Sequence, residues 1–230
     1  YVEAETHDRR RIDLPMPQQT LATEVVALGK PTEIILLNGG AVALPSTVLG
    51  ASNVAIIEAG YPGTRGSEAI ASALFAKAPQ AAASSEAVYV DRFGRLPYSI
   101  FPQSWTLNNR MDQMDLAAPP GRTYKYSQDP TVIQFEFGAG LQLAKLSLSL
   151  VHQHQPTSTT MGVTRNHTYN LNLTNLPSSR CHTEAVISMF MSPKTLPTQP
   201  KDHPLLGQRQ LVSFQRLGTT TGGLAPGQSV

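Results

Sequence analysis

The opening residues YVEAETHDRRRIDLP carry a dense cluster of charge in a chain that is otherwise sparing with it. Glu3 and Glu5 stand two residues apart, His7 and Asp8 follow, and Arg9, Arg10 and Arg11 close the run. A positioned carboxyl that gives a proton to a leaving group and takes one back from water is a general acid/base. A carboxylate beside guanidinium groups is also an ordinary exposed ion-pairing group. Spacing alone leaves both readings open for the two glutamates. His7 could donate to a ligand or stand exposed, and Asp8-Arg9 reads as a local ion pair that shapes the loop.

Other stretches hold less chemistry. Asn38-Gly39-Gly40 ends the apolar run Ile34-Ile35-Leu36-Leu37, at a strand's carboxyl end, where open α/β sheets place ligands. No Gly-Lys-Ser/Thr follows, so this is not a phosphate loop, and glycines serving a tight turn are the expectation. Tyr61-Pro62-Gly63 reads the same way. His152 and His154 sit two apart on an expected strand, and two ligands are short of a metal site. Cys181 is the single cysteine, which allows no internal disulfide. No metal and no other cofactor is expected.

The elements that must position these residues fall into two styles. Gln18 to Leu28 has Leu21, Val25 and Val26 on one helical face, with Gly29 as its stop. The continuous run Ile34–Leu37 predicts a strand buried on both faces of a parallel sheet. Val54 to Ala59 is a second strand, and Ser67 to Phe75 a helix, which completes a βαβ grammar. Residues 76–93 read as a surface loop or short linker, and 97–121 as loop. The second half alternates in period two. Strands are predicted from Leu141 to Leu150, Tyr169 to Thr174, Ala185 to Met191 and Gln210 to Gln215. The fold class is α/β followed by all-β, with a fibronectin type III-like β-sandwich in the second half.

Bulk composition excludes several classes. The chain has 230 residues, 40% hydrophobic and 15% charged, with a formal net charge of +2. That charged share is well under the roughly 25% of an ordinary soluble domain, so charge-driven disorder is not expected. No basic block exceeds three residues, which argues against a nucleic-acid binder. No apolar run reaches the roughly 18 residues of a membrane span. Two glycosylation sequons begin at Asn166 and Asn172 and lean toward a secreted chain, by a secretory route.

Several stretches, taken in order, resemble the C-terminal part of glycoside hydrolase family 3. They are Glu3-Ala4-Glu5-Thr6-His7-Asp8-Arg9, Ile12-Asp13-Leu14-Pro15 and Gly29-Lys30-Pro31. Leu37-Asn38-Gly39-Gly40, Glu58-Ala59-Gly60-Tyr61-Pro62-Gly63 and Gly94-Arg95-Leu96-Pro97 continue the series. Gly121-Arg122-Thr123-Tyr124-Lys125-Tyr126, Phe135 to Leu141 and Gln210 to Arg216 complete it. The opening stretch and Gly121-Arg122-Thr123-Tyr124 are more similar to the β-xylosidase and α-arabinofuranosidase branch than to the β-glucosidase branch.

The resemblance implies a retaining exo-glycosidase of β-xylosides or related sugars. It places the general acid/base on Glu5, with Glu3 as the alternative, and the nucleophilic Asp on an N-terminal (β/α)8 barrel that this chain lacks. Residues 1–126 would be the second half of an α/β sandwich domain, and 127–230 a fibronectin type III-like domain truncated at its end. The implied partners are that barrel, in cis or trans, and a carbohydrate; a homodimer or larger assembly is compatible with it. Arg122 and Tyr124 are expected to pack rather than catalyse. Departures fall in loops: Gly60 stands where the family has an aromatic, 76–93 is a longer Ala/Ser-rich stretch, and Phe137 to Gln142 replaces a Tyr-ended motif. They keep open a second function, an inactive glycosidase-like scaffold in a larger extracellular or surface assembly.

Overall fold

The computed structural model describes residues 6, 9–75, 89–110, 112–127, 129–154, 168–192, 209–218 and 223–230. The described chain divides into two compact units. One draws on Tyr1–Ile70, Arg95–Gly140 and Ser188–Ser213, the other on Ala71–Gly94, Leu141–Ile187 and Phe214–Val230.

The first unit begins with helix α1 (Met16–Ala27), entered through Pro15 and Pro17 at a helix start, where a missing N–H costs nothing. Gly29, at φ +67°, turns the chain out of it. Strand β1 (Thr32–Leu36) and strand β2 (Val54–Glu58) pair in parallel, Thr32 opposite Val54 and Leu36 opposite Glu58. Helix α2 (Ser46–Leu49) lies between them in sequence, and helix α3 (Gly66–Phe75) follows β2. The core is Val26, Leu36, Val42, Leu44 and Val48, with Ala22, Ile34, Val54, Ile56 and Phe135 packed against it. Asn53 ties helix to strand, its Nδ2 donating to the carbonyls of Val26 (3.2 Å) and Lys30 (2.7 Å).

β1 departs from the expectation of a strand buried on both faces. Ile35 is 39% and Leu37 63% exposed, while Leu36 is buried. Among the described residues β1 pairs only with β2, and Ile35 and Leu37 line a groove rather than a packed interface. The stretch 97–121 is also more ordered than expected. It holds helix α4 (Gln103–Leu107), after the two-residue strand β3 (Val90–Asp91), and the chain then enters helix α5 (Thr123–Tyr126). Phe101 stacks on Trp105 at 4.2 Å, which fixes the start of α4. Residues 76–88 lie outside the described residues.

In the second unit, β4 (Leu146–His154) and β5 (Thr168–Asn175) form an antiparallel pair, irregular between Leu150 and His152. Alternation predicts a start at Leu141, but the strand begins five residues later, after backbone hydrogen bonds to side chains at Leu143 (Asp91) and Lys145 (Ser179). Leu148, Leu150 and Val151 are more than half exposed. β3 pairs in parallel with β6 (His182–Thr183). Leu173, Ala185 and Leu224 form a small core. The fully buried Asn175 gives its Nδ2 protons to the carbonyls of Cys181 and Leu224. Strands β7 (Ala185–Met191) and β8 (Gln210–Leu217) pair with each other and contribute to both units.

Candidate functional site

The segment Arg9–Asp13 is fastened along the chain that leaves β1. Ala43 N–H donates to the Ile12 carbonyl at 2.8 Å, and Asp13 and Ala43 form a parallel bridge. Gln103 of α4 adds a side-chain acceptor, its Oε1 lying 2.7 Å from the Ile12 N–H. Arg9 Nη2 donates to the Ala41 carbonyl at 3.1 Å. The same nitrogen lies 2.8 Å from where a Cβ on Gly40 would stand.

That contact changes the role expected of Asn38-Gly39-Gly40. Neither glycine takes a positive φ, so left-handed backbone is not why they are there. Gly40 instead leaves room for a guanidinium to lie on the backbone, the close-approach use of glycine. Asn38 closes the turn, its Nδ2 donating to Gly40 O at 2.6 Å.

Beside this turn, β2 ends on Glu58, the charged residue in the otherwise apolar stretch Val54–Ala59. Both carboxyl oxygens of Glu58 and Oδ1 of Asn38 are sealed from water and have no well-formed hydrogen bond among the described residues. Burial pushes the Glu58 carboxyl above its usual range. The Asn38 side chain, the Gly60 N–H and the Tyr98 hydroxyl face it and pull the other way, as does the more distant charge of Arg9. Tyr98 is raised in turn, by burial first and then by Glu58. Gly60 reaches this position at φ +58°, a conformation an aromatic would adopt only under strain.

A groove of ≈ 590 Å³ opens next to the cluster, with Arg9, Asp13, Asn38, Gly39 and Tyr61 on its polar side and Leu21, Val25, Ile35 and Leu37 on its apolar side. Asp13 is gripped by Arg11 through two bonds, Nε to Oδ1 at 2.8 Å and Nη2 to Oδ2 at 2.6 Å. The Arg11 hydrogen bond holds the Asp13 carboxyl below its ordinary value, against a smaller opposing effect of burial. Arginine, amide and carboxyl groups around a part-apolar groove are the chemistry that hydroxyl-rich ligands need.

The two glutamates carrying the acid–base expectation, Glu3 and Glu5, lie outside the described residues, as do His7, Asp8 and Asn166. Asn172 lies on β5 opposite Ser149 and is partly buried. Arg122 caps α5 and its Nη2 donates to the Arg110 carbonyl. Tyr124 stacks on Phe137 at 4.3 Å and meets Phe190 edge-on at 6.1 Å, with Arg209 over the rings of Tyr124 and Phe190. Among the described residues no three His, Cys, Asp or Glu side chains gather as metal ligands, and no helix is long and apolar enough to cross a membrane. Sequence reasoning missed Glu58, Tyr98 and the seating of Arg9 on Gly40. A glutamate ending an apolar strand was the available signal for the first; nothing local signals the other two.

Parallel strands joined through helices, with a polar cluster at their carboxyl ends, make the first unit an α/β structure. Residues 2–143 match the glycosyl hydrolase family 3 C-terminal domain, and the chain belongs to that family. It is 33% identical to beta-xylosidase/alpha-L-arabinofuranosidase 2 of Medicago sativa subsp. varia, over 68% of this chain and 19% of that protein. It is 36% identical to beta-D-xylosidase 1 of Arabidopsis thaliana, over 65% of this chain and 20% of that one. The chain therefore spans about a fifth of the curated relatives it matches. Among solved structures, a β-glucosidase of intestinal bacteria involved in saponin metabolism superposes with a TM-score of 0.68 at 20% identity, covering 100% of this chain and 29% of that one. Beta-D-glucoside glucohydrolase of Trichoderma reesei gives 0.64 at 21% identity, covering 97% and 30%. At that identity the likeness is one of fold.

Proposed function

We propose that this chain is the C-terminal portion of a retaining exo-glycosidase acting on β-xylosides or related glycosides. Glu5 is its general acid/base, with Glu3 as the alternative, and an N-terminal (β/α)8 barrel supplies the Asp nucleophile. Glu5 protonates the glycosidic oxygen while the Asp attacks the anomeric carbon, so the C–O bond breaks and a glycosyl ester forms. Glu5 then takes a proton from water, which displaces the Asp and releases the sugar with its configuration retained. The observation that carries this reading is the fastening of Arg9–Asp13 to the end of β1, four residues after Glu5, within a region that matches the family. A general acid/base four residues from Arg9 needs such a fixed anchor.

Further parts belong to the same proposal. Residues 127–230 form a fibronectin type III-like tail and 1–126 the α/β portion. The protein is secreted and carries glycans at Asn166 and Asn172. The substrate preference rests on the xylosidase relatives.

The test uses the polypeptide that contains both this chain and its barrel. Glu5→Gln should slow hydrolysis of an unactivated xyloside by about 10²–10⁴-fold, the usual contribution of a general acid/base. Activity on an aryl β-xyloside with a good leaving group should recover with added azide, which needs no deprotonation. Rescue in Glu3→Gln and not in Glu5→Gln would move the role to Glu3. Absence of hydrolysis in the unaltered protein would leave the inactive-scaffold function in its place.

A further inference from the structure

Four stretches of the first unit close on one another in a circuit of hydrogen bonds. Ala43 N–H donates to the Ile12 carbonyl at 2.8 Å. The next residue, Leu44, is gripped by the Gln134 side chain, whose Oε1 accepts the Leu44 N–H at 3.1 Å and whose Nε2 donates to the Leu44 carbonyl at 3.0 Å. Gln134 and Phe135 give their N–H groups to the Ile100 carbonyl at 2.8 and 3.2 Å, and Ile100 N–H donates to the Phe135 carbonyl at 2.8 Å. Gln103, on the same stretch as Ile100, completes the circuit: its Oε1 accepts the Ile12 N–H at 2.7 Å, across 91 positions of chain. Ala43, Leu44 and Ile100 are buried, so the frame sits in close-packed surroundings.

We propose that Gln103 is a positioning residue for the acid/base step: by holding the Ile12 N–H it fixes the chain that leads back to Glu5. The proposal deepens the glycosidase reading and rests on it.

The Gln103 side chain is set to accept at this place. Thr106 Oγ1 gives its single proton to the Gln103 carbonyl at 2.7 Å, so toward the side-chain amide it can only accept, and Gln103 Nε2 donates to it at 2.8 Å. The amide therefore turns Oε1 toward Ile12 and, at 3.4 Å, toward the Asp13 N–H. Phe101 stacked on Trp105 holds the start of the same helix. Ile12 thus has both polar backbone groups pinned, the carbonyl by Ala43 and the N–H by Gln103. A general acid works only within hydrogen-bond reach of the oxygen it protonates, and a small displacement of it is costly. Gln134 bonds Leu44 and not the Ile12 segment, so it serves as the comparison.

The experiment uses the polypeptide that contains both this chain and its barrel. It compares kcat/KM on an unactivated xyloside, whose leaving oxygen needs a proton, with kcat/KM on an aryl β-xyloside whose good leaving group does not. Gln103→Met keeps the side-chain length and removes the acceptor. It should lower the first by about 10–10²-fold and the second by less than about threefold. Gln134→Met should affect both substrates alike. Hydrogen exchange of the peptide that carries Ile12, read by mass spectrometry without substrate, should be faster in Gln103→Met. Equal losses on the two substrates overturn the proposal, because a merely structural residue does not distinguish leaving groups. Unchanged exchange at Ile12 overturns it too, as does a Gln134→Met variant that discriminates as strongly. Where Gln103→Met fails to fold, Thr106→Val removes the partner of Nε2 and keeps Gln103. It should show the same preference for the activated substrate to a smaller degree, and equal losses there count against the proposal. An unaltered protein that hydrolyses neither substrate sinks the glycosidase reading and the catalytic purpose of the anchor with it. An active one in which Gln103→Met treats both substrates alike sinks only the role of Gln103.

Discussion

Arg9 lies on Gly40 with no room between them: its Nη2 reaches the Ala41 carbonyl at 3.1 Å and occupies the space that any Cβ at Gly40 would need. A charged side chain and a missing side chain, 31 positions apart, are two halves of one contact.

Gly40→Ala should therefore move Arg9 more than it disturbs the fold. The obstructing atom is the tip of a flexible side chain and the Gly40 backbone is not left-handed. Stability should change by less than about 1 kcal/mol. The Arg9 Nε–H signal should shift, and kcat/KM on an aryl β-xyloside should fall in the barrel-containing protein. A large drop in the denaturation midpoint would contradict this placement of Arg9.

Gly121→Ala should behave in the opposite way. Gly121 has φ +82°, and an added Cβ would stand 2.0 Å from the Tyr126 carbonyl oxygen, which is backbone and cannot swing aside. A loss of more than about 2 kcal/mol is expected from strain and clash together, read from urea unfolding.

The Glu58 carboxyl is raised, so the folded chain holds a proton there that the unfolded chain has released. Between the ordinary value, about 4.3, and the higher folded value, stability falls as pH rises. Glu58→Gln has no such proton, and its urea midpoint should lack that downward slope. A variant that tracks the unaltered chain across this window would show that Glu58 ionises normally.

Asp13 has the reverse sign. The Arg11 hydrogen bond lowers its carboxyl, so the stabilisation is present above the ordinary aspartate value and is lost as pH falls through the lower folded one. Asp13→Asn should flatten the acid side of the stability profile. The effect should stay under about 1 kcal/mol, because Arg11 is largely exposed.

Tyr124 combines two contributions that substitution separates. Tyr124→Phe removes the hydroxyl that the Leu211 N–H donates to at 3.3 Å, at a cost of about 1 kcal/mol. Tyr124→Ala also removes the stack on Phe137 and one face of the Arg209 contact, and should cost about 2–4 kcal/mol. Similar losses for both variants would mean that the rings contribute little.

The sequence by itself determined the local elements and the family. Helix α1, strands β1 and β2 in parallel, helix α3, and strands β7 and β8 stand close to where apolar spacing and turn residues put them, because these signals act over a few neighbouring residues. The ordered motifs from Glu3 to Arg216 named the family in the same local way. Only the tertiary structure decided that Ile35 and Leu37 stay exposed, since burial depends on which strands lie alongside, and periodicity carries no count of neighbours. It alone joined Arg9 to Gly40 and enclosed Glu58 among Asn38, Gly60 and Tyr98. Those contacts span from 2 to 40 positions of chain, and the desolvation that raises a carboxyl exists only once distant segments have closed around it.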